Sequence, residues 1–249
     1  MQIKEIPWIT HTHTDYYDVC KIYNGEMPKF TFGEEFWENH YYLINTNHLE
    51  NQYKYELSGN FFYYDEQLSY PTRLLNILSN LKSEIIFLDH EDMFLYGKAN
   101  LEIISIAVKM LIDKKLDSVR FVKNLNANYL NLPNEDSIQL IDPKSEWLFS
   151  IQPSIWRKDK LISILKKNLN LNMWQLEERS QKTVKNFGIK IGVLSGKYVQ
   201  RGKSHSNSEY YPYVATAIFK GKWTLSEYKE ELNLVLNNYG INPNIRGFT

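Results

Sequence analysis

The chain has 249 residues and a mass of 29.6 kDa, with 43% hydrophobic and 23% charged residues, which excludes a disordered or collagen-like chain. Its 29 basic and 29 acidic residues balance, but residues 1–150 carry −9 and residues 151–249 carry +9. One cysteine, Cys20, excludes a disulfide framework and a cysteine-based zinc site.

Ile6 to Thr10 reads as a strand entering a polar loop, Thr10 to Asp18. Tyr41–Ile44 and Phe61–Tyr64 read as strands, because aromatic and β-branched residues cluster there. Leu74, Leu75, Leu78 and Leu81 recur at helical spacing and predict a helix over roughly 72–82. Ile85–Leu88 is a buried strand that breaks into Asp89-His90-Glu91-Asp92, and an apolar helix follows from about Asn100 to Lys114. Ser118–Val122 and Trp147–Ile151 read as further strands. Leu161 to Leu165 predicts a short helix, and so does Met173 to Arg179. Thr224 with Glu227 predicts a capping box for the last helix, and Gly240 its stop. This alternation of strands and helices predicts an α/β fold with a mainly parallel sheet.

No apolar run approaches the roughly 18 residues of a membrane span. The N-terminus, Met1-Gln-Ile-Lys-Glu, does not read as a signal peptide, so the expectation is a cytoplasmic protein without a transmembrane segment. Between Arg157 and Lys203, twelve basic residues meet three acidic ones. That stretch is either a solvated face or a groove for an anion.

Three carboxylates in four residues, Asp89, Glu91 and Asp92, cannot all be buried unpaired. At the end of a strand they would face the crevice where α/β folds bind ligands. Hard oxygen ligands suit Mg²⁺ or Mn²⁺ holding a diphosphate. His11 and His13 resemble a metal pair of the hydrolase type, but no later histidine completes a ligand spacing. They read as polar loop residues beside the crevice.

Several segments, in order along the chain, resemble bacterial and viral glycosyltransferases of the GT-A fold, similar to family 2. Ser69-Tyr-Pro-Thr-Arg73, with the later Ile85-Ile-Phe-Leu-Asp-His-Glu-Asp92, resembles an arginine-bearing helix leading to an acidic "DDYFL"-like motif. Ser150-Ile-Gln-Pro-Ser-Ile-Trp156-Arg157-Lys158-Asp159 resembles "LQPAIWRKD", Met173–Glu177 resembles "PWEFE", and Ile218–Trp223 resembles a "KGKW" element.

The resemblance implies a single GT-A-like domain over 1–249, with a nucleotide-sugar-binding half (1–125) and an acceptor-binding half (126–249). It implies that a nucleotide diphosphate sugar, a UDP-sugar first among them, gives its sugar to an acceptor hydroxyl. Thr12, Asp15 and Asp18 would hold the base and ribose, Arg73, Lys220 and Lys222 would meet the diphosphate, and Asp89 would hold the donor sugar or the metal. Asp89, Glu91, Asp92 and His205 would hold Mn²⁺ or Mg²⁺. Glu177 would be the general base, with Gln175 standing where the family has a second glutamate. Trp156, Arg157 and Trp174 would meet the acceptor, with Trp223 a further ring for sugar stacking. A single base implies inversion. The acceptor expected is a surface or capsule glycan. Modified DNA, whose backbone suits the basic stretch, is the alternative. An inactive glycan-binding module on the same fold is the rival of another class.

Overall fold

The computed structural model describes residues 2–45, 56–124, 127–197, 199–201 and 205–249. Nine strands form one sheet: β1 (Trp8–His11), β2 (His40–Asn45), β3 (Asn60–Tyr64), β4 (Ile85–His90), β5 (Ser118–Arg120), β6 (Tyr129–Leu132), β7 (Glu135–Ile141), β8 (Ser154–Arg157) and β9 (Ile191–Leu194). Their spatial order is β3-β2-β1-β4-β8-β5-β9-β7-β6. β7 and β8 run against the other strands, so the sheet is mainly parallel. Helices α1 (Tyr17–Phe30), α2 (Tyr70–Asn80), α3 (Leu101–Ile112), α4 (Lys158–Lys167), α5 (Met173–Asn186) and α6 (Leu225–Asn238) flank it. α1, α3 and α6 bury their apolar stripes against one face, and α2, α4 and α5 against the other. The α/β class expected from the sequence is the one observed. Among the described residues no helix is long and apolar enough to cross a membrane.

Strands from both halves of the sequence interleave, since β8 sits between β4 and β5. β1 and β4 end side by side, with His11 opposite His90. Two short hairpins lie outside the sheet: β10 (Gln200–Arg201) with β11 (His205–Ser206), and β12 (Ile218–Phe219) with β13 (Lys222–Trp223).

Two sequence expectations change. The strand expected at Trp147–Ile151 is irregular chain, although Leu148, Phe149 and Ile151 are buried. Its backbone groups are satisfied by α5 side chains instead of a ladder: Gln181 bonds Phe149 at both N (3.0 Å) and O (2.7 Å). The strand lies later, at β8, where Trp156 and Arg157 extend along β4. The capping box expected at Thr224 is absent. Thr224 makes no side-chain cap bond, and Thr249 Oγ1 lies 3.3 Å from its hydroxyl. A capping box does form at α5, where Asn172 and Gln175 exchange bonds of 3.1 and 2.9 Å. Gln175 therefore works in the helix cap.

Candidate functional site

Successive side chains on a strand point to opposite faces, and this divides the acidic motif. Asp89 and His90 are the last two residues of β4. Asp89 turns into the core beneath α1, where it is 1% exposed. Its carboxylate accepts from Trp8 Nε1 (2.8 Å), Thr10 Oγ1 (2.7 Å) and Tyr23 OH (2.9 Å). Burial pushes its pKa up to about 7, and the three donors hold it back from rising further. Both oxygens are engaged inside the protein, which corrects the expectation that Asp89 holds the donor sugar or a metal.

His90 turns to the other face, where its Nε2 lies 2.9 Å from Tyr70 OH and burial lowers its pKa to about 4. His11 packs beside it, 5.5 Å between ring centroids, and stacks on Tyr64 at 5.2 Å. Both imidazoles are held neutral by burial. His13 instead accepts from Asp15 N at 3.0 Å and lies 3.2 Å from Glu66.

Glu91 and Asp92 follow the strand at the sheet's C-terminal edge. Burial raises the pKa of Glu91 well above the carboxylate range, and Asp92 beside it raises it further. Asp92 is pushed up to about 7, chiefly by burial. Thr12 hydrogen-bonds Glu91, and Ile218 N lies 3.4 Å from Asp92 Oδ2. Neither carboxylate has an ion-pair partner among the described residues. Two adjacent carboxylates with disfavoured charges fit a divalent cation that also takes phosphate oxygens, because Mg²⁺-type sites use one or two carboxylates plus ligand oxygens. Among the described residues no group of three or more His, Cys, Asp or Glu side chains is placed to share a metal. The side chain of His205 lies outside the described part.

Asp92 opens onto a cleft of about 390 Å³ that is also lined by His90, Gln152, Trp174, Glu177, Phe219 and Lys220. The fold thus brings together four expected site residues, Asp92, Trp174, Glu177 and Lys220, from three distant segments. Glu177 accepts from Ile151 N at 3.1 Å, which fixes its carboxylate at the cleft wall. Trp174, in the first turn of α5, is 62% exposed. Phe219 and Gln152 were not singled out in the sequence and Glu227 only as part of a helix cap, and only the hairpin geometry reveals Phe219. Arg120 also escaped notice, although an arginine within the apolar run Ser118–Val122 was a signal. It is 3% exposed beneath the 147–152 segment, donates to Trp147 O at 3.1 Å, and its Nε has no partner among the described residues.

Other expected residues lie elsewhere. Trp156 is 1% exposed, bonded to Ser154 Oγ at 2.9 Å and packed on Phe149, so it is core and not an acceptor platform. Trp223 is fully buried as well. Arg157 stands opposite Ile85, at the far end of β4 from the acidic turn, and pairs with Asp117 (2.9 Å) and Asp159 (3.0 Å). It cannot meet an acceptor in this cleft. Arg73 donates to the carbonyls of Leu68 (2.8 Å) and Glu66 (2.8 Å) and lies over the Tyr64 ring, so it clamps the loop before α2. Asp18 is held by Arg246, whose Nε lies 2.6 Å from Oδ2, and Asp15 offers its carbonyl to the same guanidinium. Lys222 is exposed on β13 and is not part of the cleft wall.

No family model matches the sequence, and no curated protein matches it. Among solved structures the chain is similar to a cytidylyltransferase from Leptospira borgpetersenii serovar Hardjo-bovis, at 12% identity over 96% of this chain and 97% of that one, with a TM-score of 0.49. It is similar to S. aureus TarS 1–349 at 14% identity, over 97% and 65% of the two chains, with a TM-score of 0.46. A mannosyltransferase from Pyrobaculum calidifontis in complex with GDP-Man and Mn²⁺ shares 12% identity, over 79% and 58%, at 0.44. The chain spans 52% of the bifunctional IspDF from Campylobacter jejuni, covering 85% of itself, at 13% identity and a TM-score of 0.46. At TM-scores below 0.5 these likenesses assign neither a family nor an activity.

Proposed function

We propose that the protein is a glycosyltransferase that moves a sugar from a nucleotide diphosphate sugar to an acceptor hydroxyl. One observation carries this reading: a single cleft at the C-terminal edge of the sheet joins Asp92, Glu177, Lys220 and the exposed Trp174. Glu177, oriented by Ile151 N–H, takes the proton of the acceptor hydroxyl. The acceptor oxygen bonds the anomeric carbon as the bond to phosphate breaks, and a single displacement inverts that carbon. Lys220 neutralises charge on the departing nucleoside diphosphate. Glu91 and Asp92 would hold Mn²⁺ or Mg²⁺ together with donor phosphate oxygens. Such an ion supplies further positive charge to the leaving group when bound.

Among the described residues, no basic side chain of the 157–203 stretch lines this cleft. Lys166, Lys167, Arg179, Lys182 and Lys185 are exposed on α4 and α5. This favours a glycan over duplex DNA as the acceptor.

The test is a thermal-shift panel of UDP-, GDP-, CMP- and dTDP-sugars with and without Mn²⁺, followed by turnover. A donor at 100 times its Kd should add about 2.7 kcal/mol of stability. Glu177→Gln should lower kcat on the order of 10²–10⁴-fold and leave donor affinity unchanged. Glu178→Gln, about 100° round the helix, is the control. A panel without any shift would remove the reading. Release of pyrophosphate from a nucleoside triphosphate would replace it with nucleotidyl transfer.

A further inference from the structure

Helices cover both faces of the sheet, and the two sides use their cations differently. On the side of α1, α3 and α6, Lys21, Lys29 and Lys109 each meet a carboxylate: Glu56 at 3.4 Å, Glu26 at 3.3 Å and Asp113 at 3.0 Å. On the other side, Lys166 and Lys167 of α4 and Arg179, Lys182 and Lys185 of α5 are exposed. Among the described residues, none of these five has an ion-pair or hydrogen-bond partner for its charged group. Glu178 is the one exposed carboxylate between Lys160 and Lys190.

The five cations share one surface. Asn168, at the end of α4, donates from Nδ2 to Thr183 Oγ1 of α5 at 3.1 Å. That bond sets the last turn of α4 beside the second half of α5. Leu169 follows Asn168, and Phe187 lies one turn beyond Thr183, whose carbonyl accepts from Phe187 N at 3.0 Å. Two apolar side chains therefore stand at this junction, Leu169 at 46% and Phe187 at 41% exposure.

Helix dipoles account for part of the pattern. Lys166, Lys167 and Lys185 lie in last turns, where a cation is favoured. Arg179 and Lys182 lie further inside α5, and a dipole gives no reason to expose a leucine and a phenylalanine beside them. Four of the five cations are lysines, compact hydrated charges, whereas bidentate reading of phosphates uses arginine. Leucine and phenylalanine set among lysines match a surface that lies in a bilayer interface. There the cations meet anionic headgroups, and the apolar side chains enter the acyl boundary. A duplex backbone offers such side chains no place to bury.

We infer that the α4–α5 face docks on an anionic phospholipid membrane, with Leu169 and Phe187 entering its interface and the five cations facing its headgroups. This goes beyond the transferase reading and stands without it.

The experiment is co-sedimentation of the full chain with vesicles of phosphatidylcholine, alone or mixed with phosphatidylglycerol, at about 0.1 M salt, where the screening length is about 10 Å. Only the anionic vesicles should bind. Salt at about 1 M, which cuts that length to about 3 Å, should release the protein. Lys182→Glu combined with Lys185→Glu should weaken binding about 25-fold or more, since each cation near such a surface contributes about 5-fold. Phe187→Ala should weaken it about 3-fold or more. Lys229→Glu, exposed on α6 across the sheet, should bind like the wild type. Melting temperatures check that every variant folds, and duplex DNA is the comparison probe. Four results overturn the inference: no binding of anionic vesicles, equal binding of the zwitterionic ones, undiminished binding by the double or the Phe187 variant, or tighter binding of DNA. None of them touches the transferase reading, because turnover is not measured, and a nucleotide panel without a shift leaves membrane docking intact.

Discussion

At the scale of single residues, Thr10 ties together a buried polar network under β1 and β4. Thr10 Oγ1 lies 2.7 Å from Asp89 and 2.9 Å from His40 Nε2. The hydroxyl has one proton, so if it goes to Asp89, His40 donates through Nε2–H. That assignment leaves Nδ1 a bare acceptor, and Nδ1 has no partner among the described residues. Burial lowers the His40 pKa well below 6.5. The unfolded chain therefore binds more protons below that value. The contribution of His40 to stability is complete above about pH 6.5 and is lost as pH falls. Between pH 7.5 and 5.5 the wild type should lose melting temperature relative to His40→Gln, which keeps a donor for Thr10, because the raised carboxylates Asp89, Glu91 and Asp92 and the lowered His11 and His90 titrate in both proteins. An unchanged difference between the two proteins would place the titration elsewhere. Asp89→Leu should cost on the order of 3 kcal/mol or more, because it strands three buried donors. Asp92→Asn can still accept from Ile218 N, so its melting temperature should hold while turnover collapses. Loss of both in Asp92→Asn would make that carboxylate a structural anchor.

At the scale of elements, α1 went unread because its sequence mixes signals. Val19, Cys20, Ile22, Tyr23 and Met27 are its buried apolar positions and follow helical spacing, but Gly25 and Pro28 interrupt the pattern. Gly25 has a tertiary reason. A Cβ built there would lie 1.8 Å from the Tyr239 hydroxyl oxygen, which itself reaches Glu26 at 3.0 Å. Gly25→Ala gains helix propensity yet should lose about 1–3 kcal/mol in denaturant unfolding from overpacking. A stabilised variant would show that Tyr239 moves aside freely. The 147–152 segment is the opposite case, an apolar run that looks like a strand and is not one. Glu177 and Gln181 stand one turn apart on α5 and bond its backbone at Ile151 and Phe149. Gln181→Leu should strand two backbone groups, lower stability by about 2–4 kcal/mol and raise the acceptor KM more than it lowers kcat.

Across the whole molecule, the charge asymmetry along the sequence is partly spent inside the fold. Arg157 of the basic half pairs with Asp117 of the acidic half at 2.9 Å, and Arg246 grips Asp18 from 228 residues away. The side chains of Arg246 and Asp18 are 13% and 29% exposed, so solvent screens this pair less than a surface pair. A double-mutant cycle with Asp18→Ala and Arg246→Ala should give a coupling of about 1–3 kcal/mol, above the 0–1 typical of exposed pairs. A coupling near zero would mean that Arg246 contributes only its stacking on Tyr16.

The sequence by itself determined the α/β class, most helices, the buried strand before the acidic turn, and the segments that supply Asp92, Trp174, Glu177 and Lys220. Those are properties of local pattern: periodicity, β-branched runs and the dense cluster of carboxylates. Only the tertiary structure decided which member of each motif reaches the cleft. Alternation along β4 sends Asp89 inward, and the placement of β8 carries Arg157 to the far end of the sheet while Gln152 remains at the cleft. A side chain's exposure depends on strand register and on what packs against it. Both are set by residues far away in sequence, so a motif read alone cannot tell a ligand from a core carboxylate.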